Sequence, residues 1–167
     1  TSAADVYAAG DVVEAYDVIN EKNQVIAILP LAYEQGRVAG WNMAGRDSLY
    51  PGGIPLNSLP IFDLPLMTMG ITLPDGRTDL DTLVHQADGV YRKLVFKGDR
   101  LVGAILVGDV AHGGILTSLI RSRLPVTLDR EALLKGDPLE VEAARQLSAA
   151  EKNKLWARTP APTLATR

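Results

Sequence analysis

Asp5-Val6-Tyr7-Ala8-Ala9-Gly10-Asp11-Val12 is the stretch from which the rest of the chain is read. Val6 to Ala9 form a short continuous run of apolar or β-compatible residues, which suits a strand covered on both faces. Gly10 admits close approach of the backbone to a neighbour. Asp11 then places a carboxylate at the C-terminal end of the strand, where open α/β sheets bind ligands. A carboxylate there accepts hydrogen bonds from sugar-like hydroxyls. From these residues alone an ordinary Gly-Asp turn reads equally well.

Outward from this stretch, Asp17–Ile19 and Val25–Leu29 are apolar-rich runs separated by the polar Asn20-Glu21-Lys22-Asn23, which predicts a β-hairpin. Pro30 is placed to open a helix and Gly45 to cap its C-terminus. Gly36 and Gly40 lie one turn apart inside that helix, and each costs about 1 kcal/mol relative to Ala. Close backbone approach, or loose packing of two small residues on a sheet, would account for them. The helix start would present the backbone N–H groups of Leu31, Ala32 and Tyr33 to an anionic ligand.

The Pro- and Gly-rich turns of Tyr50–Pro55 and Ser58–Pro60 mark a domain boundary, since proline does not continue a helix or a central strand. An antiparallel sheet is expected over 61–109. Its strands are Ile61–Thr72, interrupted by Pro65 and ending at Gly70, then Leu80–Gln86, Val90–Phe96 and the most apolar, Leu101–Val110. Pro74–Arg77, Asp88-Gly89 and Lys97–Arg100 read as turns. Thr78-x-x-Asp81 also fits a helix capping box, and Leu83 breaks the strand alternation, so the residues leave 80–86 open and a strand there is mainly what the family resemblance of the following blocks implies. Helices follow at Ile115–Arg123, at Asp129–Lys135 with Asp129 as N-cap, and over 139–157 with a capping box at Ser148-x-x-Glu151. Residues 159–167 carry no pattern and are expected to be mobile.

Three blocks carry a resemblance. Thr1-Ser2-x-x-Asp5 through Asp11 resembles the second FAD-binding motif of the pyridine nucleotide–disulfide oxidoreductase family. This family includes NADH oxidases, rubredoxin and ferredoxin reductases, coenzyme A disulfide reductases and the flavin part of nitrite reductase. Pro30-Leu31-Ala32-x-x-Gln35-Gly36-Arg37-Val38-Ala39-Gly40-x-Asn42-Met43-Ala44-Gly45 is similar to that family's helix whose N-terminus faces the isoalloxazine ring. Tyr91–Val95 followed by Gly98–Asp109 resembles its C-terminal interface domain. The three blocks occur in the family's order over about residues 1–123 and are poor at choosing a subfamily.

The resemblance implies an α+β chain in three parts. Residues 1–46 would be the end of an FAD-binding α/β domain, 47–125 an interface or dimerisation domain with an antiparallel sheet and flanking helices, and 126–167 a helical extension with a mobile tail. It further implies FAD as cofactor, with Gly10 and Asp11 on the ribityl chain and Leu31, Ala32 and Tyr33 at the ring. The NAD(P)H site would lie outside this chain, which contains no Gly-x-Gly-x-x-Gly. A homodimer through 47–125 and a redox-protein partner are expected. Residue 1 is not Met and the chain opens inside a motif, so the reading is a C-terminal fragment that is inactive alone. The competing reading is a non-catalytic dimerisation module, and a third is a complete small α/β protein matched by chance.

The remaining candidates are weaker. His112 beside Asp109 at a strand-to-helix junction would make an acid–base pair, although a solvated loop histidine is the commoner case. His85 is expected at solvent or a partner subunit, and two histidines so far apart make no metal-ligand spacing. Asp79 and Asp81 read as a solvated acidic turn. Gly113-Gly114 lacks the lysine and spacing of a phosphate loop. Phe62, Met67 and Met69 belong either to a subunit interface or to plain core. No metal site is expected. The formal net charge of −3 and the absence of a basic cluster argue against nucleic acid. There is no apolar run of transmembrane length. With no cysteine in 167 residues, thiol chemistry within this chain is excluded and a cytoplasmic setting is expected.

Overall fold

The computed structural model describes residues 1–74 and 76–158. Its centre is a five-stranded antiparallel sheet in the order β3-β4-β7-β6-β5. The strands are β3 (Leu56–Ile61), β4 (Leu64–Gly70), β5 (Asp81–Ala87), β6 (Val90–Lys97) and β7 (Arg100–Val107). Ahead of the sheet come a two-stranded hairpin, β1 (Ala15–Asp17) and β2 (Lys22–Gln24), and helix α1 (Leu29–Met43). Helices α2 (Gly113–Ser122), α3 (Arg130–Lys135) and α4 (Pro138–Arg158) follow it. The class is α+β, as expected.

Alternation along the strands divides the sheet into two faces. One row across all five strands is Leu56, Met69, Ala104, Leu94 and Leu83, and this face carries the core with Phe96, Leu106, Leu116, Leu119, Ile120, Leu133 and Leu134 beneath the helices. Met69 is fully buried core, Met67 packs at its margin, and Phe62 is wholly exposed. The row on the opposite face is Leu59, Leu66, Val107, Tyr91 and Gln86. The chain after β4 covers one end of that face, where the Lys93 ammonium donates to the Thr72 carbonyl at 2.8 Å and Ile71, Val95 and Val102 close together.

The turns follow their residues. Asp88 and Gly89 both have positive φ, the two-residue type I′ geometry that matches strand twist. Gly98 at φ +59 turns β6 into β7. Gly70 and Gly103 lie opposite each other where β4 leaves the sheet; a Cβ on Gly70 would strike the Val102 backbone of β7, and one on Gly103 the backbone of Ile71 just beyond β4. The Asp129 carboxylate accepts from the N–H groups of Glu131 and Ala132 at 2.9 and 3.1 Å, the expected N-cap.

Several expectations are corrected. Residues 5–9 form no strand: no strand among the described residues runs beside them, and Val6 and Tyr7 are 53% and 43% exposed. A single extended segment without a ladder has nothing to satisfy its backbone. The first hairpin forms, but its strands are shorter than read and displaced from 17–19 and 25–29. Ser58–Pro60, read as a turn, lies in β3, which is an edge strand and so tolerates Pro60. Pro65 lies just outside the β4–β7 ladder and offers its carbonyl to the Gly108 N–H at 2.9 Å. Gly36 and Gly40 make no close approach, for a Cβ on either would meet open space. Ser148 does not cap a helix. Helix α4 already begins at Pro138, where the Asp137 carboxylate accepts from Leu139 N–H at 2.9 Å. Residues 159–167 lie outside the described residues.

Candidate functional site

Helix α1 ends as the sequence predicts. Gly45 takes φ +81, Gly45 N–H donates to the Asn42 carbonyl and Arg46 N–H to that of Trp41, both at 2.9 Å. These are the paired bonds of a Schellman motif. Asn42 fixes the exit as well, donating from Nδ2 to the carbonyls of Val38 and Ser48, each at 2.8 Å.

The helix start differs from expectation. Ile28 is the N-cap, with extended backbone and no side-chain cap. Its carbonyl accepts from both Leu31 and Ala32 N–H at 3.1 Å. Tyr33 lies beyond the first four N–H positions, so none of Leu31, Ala32 and Tyr33 presents a free donor. Pro30 has no N–H, which leaves Leu29 as the first-turn residue with an unpaired donor among the described residues. Leu31 is buried, and a Cβ on Gly53 would lie 2.6 Å from its Cδ1. Tyr33 is exposed. No acidic side chain occupies the first turn, so the positive end of the helix dipole is uncompensated.

The Gly10–Asp11 turn rests on this helix. Gly10 has φ +84, and its carbonyl accepts from Val13 N–H at 3.1 Å. Its N–H donates to Oε1 of Gln35 at 2.8 Å, and a Cβ on Gly10 would sit 3.4 Å from that of Ala32. Asp11 is exposed. An open carboxylate and an uncompensated helix start are thus gathered at one end of α1. Asp11 can accept from the hydroxyls of a polyhydroxylated chain such as that of FAD, while at the helix start only the dipole and the Leu29 N–H remain to meet its electron-rich ring.

Three residues here escape sequence reading. Gln35 is buried, and it interrupts the inward stripe Leu31, Gln35, Val38, Asn42. A polar residue in that stripe is the signal that would have found it. Tyr50 has a buried hydroxyl that sits beside Gln35 without meeting hydrogen-bond geometry. Burial pushes its pKa up, and Gln35 pulls the other way. Gly53 admits both Leu31 and the Tyr50 hydroxyl, each of which a Cβ would crowd.

The other candidates take structural roles. The Asp109 carboxylate accepts from Ala111 N–H at 2.9 Å and pairs with Arg92 at 2.5 Å. His112 makes no hydrogen bond to it, so the acid–base pair is not formed. His85 lies opposite Arg92 on the helix-covered side of β5 and is half-buried. Asp79 pairs with Arg77 and Lys97, while Asp81 is exposed.

Comparison with known proteins follows the same lines. Residues 55–124 match the family described as the rubredoxin NAD+ reductase C-terminal domain. The chain is 34% identical over 145 residues to the NADH-dependent phenylglyoxylate dehydrogenase subunit epsilon of Aromatoleum evansii, covering 84% of this chain and 34% of that one. It is 31% identical over 124 residues to the NADH-rubredoxin oxidoreductase of Clostridium acetobutylicum, covering 73% and 30%. The crystal structure of NADH:rubredoxin oxidoreductase from the same organism superposes with a TM-score of 0.62 at 27% identity, over 81% of this chain and 34% of that one. The chain therefore spans about a third of the length of these relatives.

Proposed function

From its place among the FAD-dependent pyridine nucleotide–disulfide oxidoreductases, whose C-terminal domain matches residues 55–124, we propose that this chain belongs to a flavoprotein carrying electrons from NAD(P)H through FAD to a small acceptor or redox protein. The observation that carries this reading is the exposed Asp11 carboxylate on a turn fastened to the uncompensated end of α1. When bound, FAD supplies the hydride and electron chemistry.

The chain's own residues bind and orient. The Asp11 carboxylate accepts hydrogen bonds from ribityl hydroxyls. Gly10 brings the backbone near them, and the end of α1 at Leu29–Tyr33 holds partial positive charge beside the ring. The proposed division is 1–46 for flavin contact, 47–125 for subunit contact and 126–167 for a helical extension. NAD(P)H binds outside this chain, and these residues alone do not turn over. The lack of cysteine supports a reducing, cytoplasmic setting.

Exchanging Asp11 for Ala in the full-length protein tests this. Purified protein is expected to lose its visible flavin absorbance, and a full complement of pigment in the variant would refute the assignment.

The open side of the sheet favours a second role alongside the first, subunit association. Leu59, Ile61 and Leu64 are 40%, 44% and 45% exposed there, beside Leu66 and Val107. Apolar area of this kind is the mark of a protein contact. We assign it to a second copy of the chain. A colourless oligomer of residues 1–167 would separate a pure association module from a flavin-binding one.

A further inference from the structure

Gln35 is 7% exposed and polar, on a helix face otherwise turned to the protein interior. A buried amide persists where it has a specific partner, since an apolar residue would fill the same space without desolvation cost. The partner is Gly10 N–H, 2.8 Å from Oε1. A backbone N–H demands an acceptor, which settles the orientation of the amide.

This contact has no substitute nearby. Residues 5–9 lack a β-ladder, and the other hydrogen bonds of residues 1–14 stay within the segment. Among the described residues, Gln35 thus supplies the one hydrogen bond that ties the Gly10–Asp11 turn to helix α1. Packing of Gly10 against Ala32 holds the spacing but leaves sliding along the helix unopposed. A hydrogen bond is directional and fixes that coordinate as well.

We propose that Gln35 is a positioning residue for the flavin site, registering the Asp11 carboxylate against the start of α1 so that both engage one ligand at once. The inference rests on the flavin reading above and adds the residue that couples its two halves. No contact of its own with the flavin is assigned to Gln35.

The test uses the full-length protein in two variants. Gln35→Met keeps the side-chain length and removes the acceptor. Gln35→Glu keeps an oxygen acceptor in place. FAD dissociation constants come from reconstitution of the apoprotein, followed by flavin fluorescence. The midpoint potential of bound FAD and the melting temperature of the apoprotein are read beside them. The Met variant is expected to bind FAD about tenfold more weakly, the scale of one well-formed hydrogen bond. Its flavin potential should shift while the apoprotein melts near the parent value. The Glu variant should return the affinity to within about threefold of the parent. Parental affinity and potential in the Met variant, with Asp11→Ala losing pigment, would overturn the inference and leave the flavin reading standing. If the Met variant does not fold, the Glu variant decides: parental affinity supports the role and loss of FAD overturns it. Pigment retained in Asp11→Ala would sink the flavin reading, and this inference with it.

Discussion

Arg92 brings a charge beneath the helices, where its side chain is 7% exposed, while its partner Asp109 remains 42% exposed. The pair is asymmetric, so removing the carboxylate strands a buried cation, whereas removing the cation frees a group that water can reach. Asp109→Asn should therefore cost about 2 kcal/mol, seen as a lower urea midpoint with unchanged slope, and Arg92→Met less. Asp109 also has its pKa held below the ordinary 3.8, first by the Ala111 N–H and then by Arg92. Asp79 is pulled down to about 2, chiefly by Arg77. Both folded-state values lie below the unfolded ones, so each contributes stability that is present above the ordinary carboxylate range and lost as pH falls through its folded value, towards about 2 for Asp79. Acid titration of the melting temperature should show this decline, with a smaller drop in an Asp79→Asn, Asp109→Asn double variant. The turn at Gly10 is legible in the sequence because its glycine sets a positive φ locally. The hydrogen bond that Gln35 makes to it is not, since the partner lies 25 positions earlier.

At the scale of elements, the β3–β4 turn is the least comfortable part of the sheet. Phe62 and Asp63 both adopt positive φ, at +47° and +65°, a geometry that favours Asn and Gly. Phe62 is wholly exposed, so no core contact offsets the strain. Phe62→Asn should raise stability by about 1 kcal/mol in chemical denaturation. Gly103→Ala should do the opposite, losing about 1–3 kcal/mol as the new methyl meets the Ile71 backbone, and a melting-temperature comparison checks it. The turns at Asp88-Gly89 and Gly98 are legible from sequence because their residues set φ locally. A strand over 5–9 is predicted from composition alone, yet a strand exists only through its neighbours. The proline of β3 misleads for a related reason, since whether Pro60 is tolerated depends on the outer side of β3 remaining unpaired. At the first turn of α1 the register is set by Ile28, which carries no capping side chain to announce it.

On the scale of the molecule, the sheet has one face committed to helices and the other committed to nothing within the described residues apart from the end near Ile71. If a second copy covers that face, a Leu59→Lys, Ile61→Lys double variant of the full-length protein should shift from dimer to monomer by light scattering on a sizing column. Both positions are already 40–44% exposed, so the fold should survive the exchange.

The hairpin is braced internally and tied to the chain around it at several points. Gly53 N–H donates to the Tyr16 carbonyl at 2.9 Å, and Val18 N–H to the Gly53 carbonyl at 3.1 Å. The fully buried Asp17 carboxylate accepts from the N–H groups of Ile19 and Asn20 and from the amides of Asn20 and Gln24. Arg77 reaches Asn20, and Arg123 pairs with Glu21. Gly53 thus meets the hairpin through its backbone and Leu31 of α1 on its open side, so helix and hairpin share one anchorage at the entry to β3.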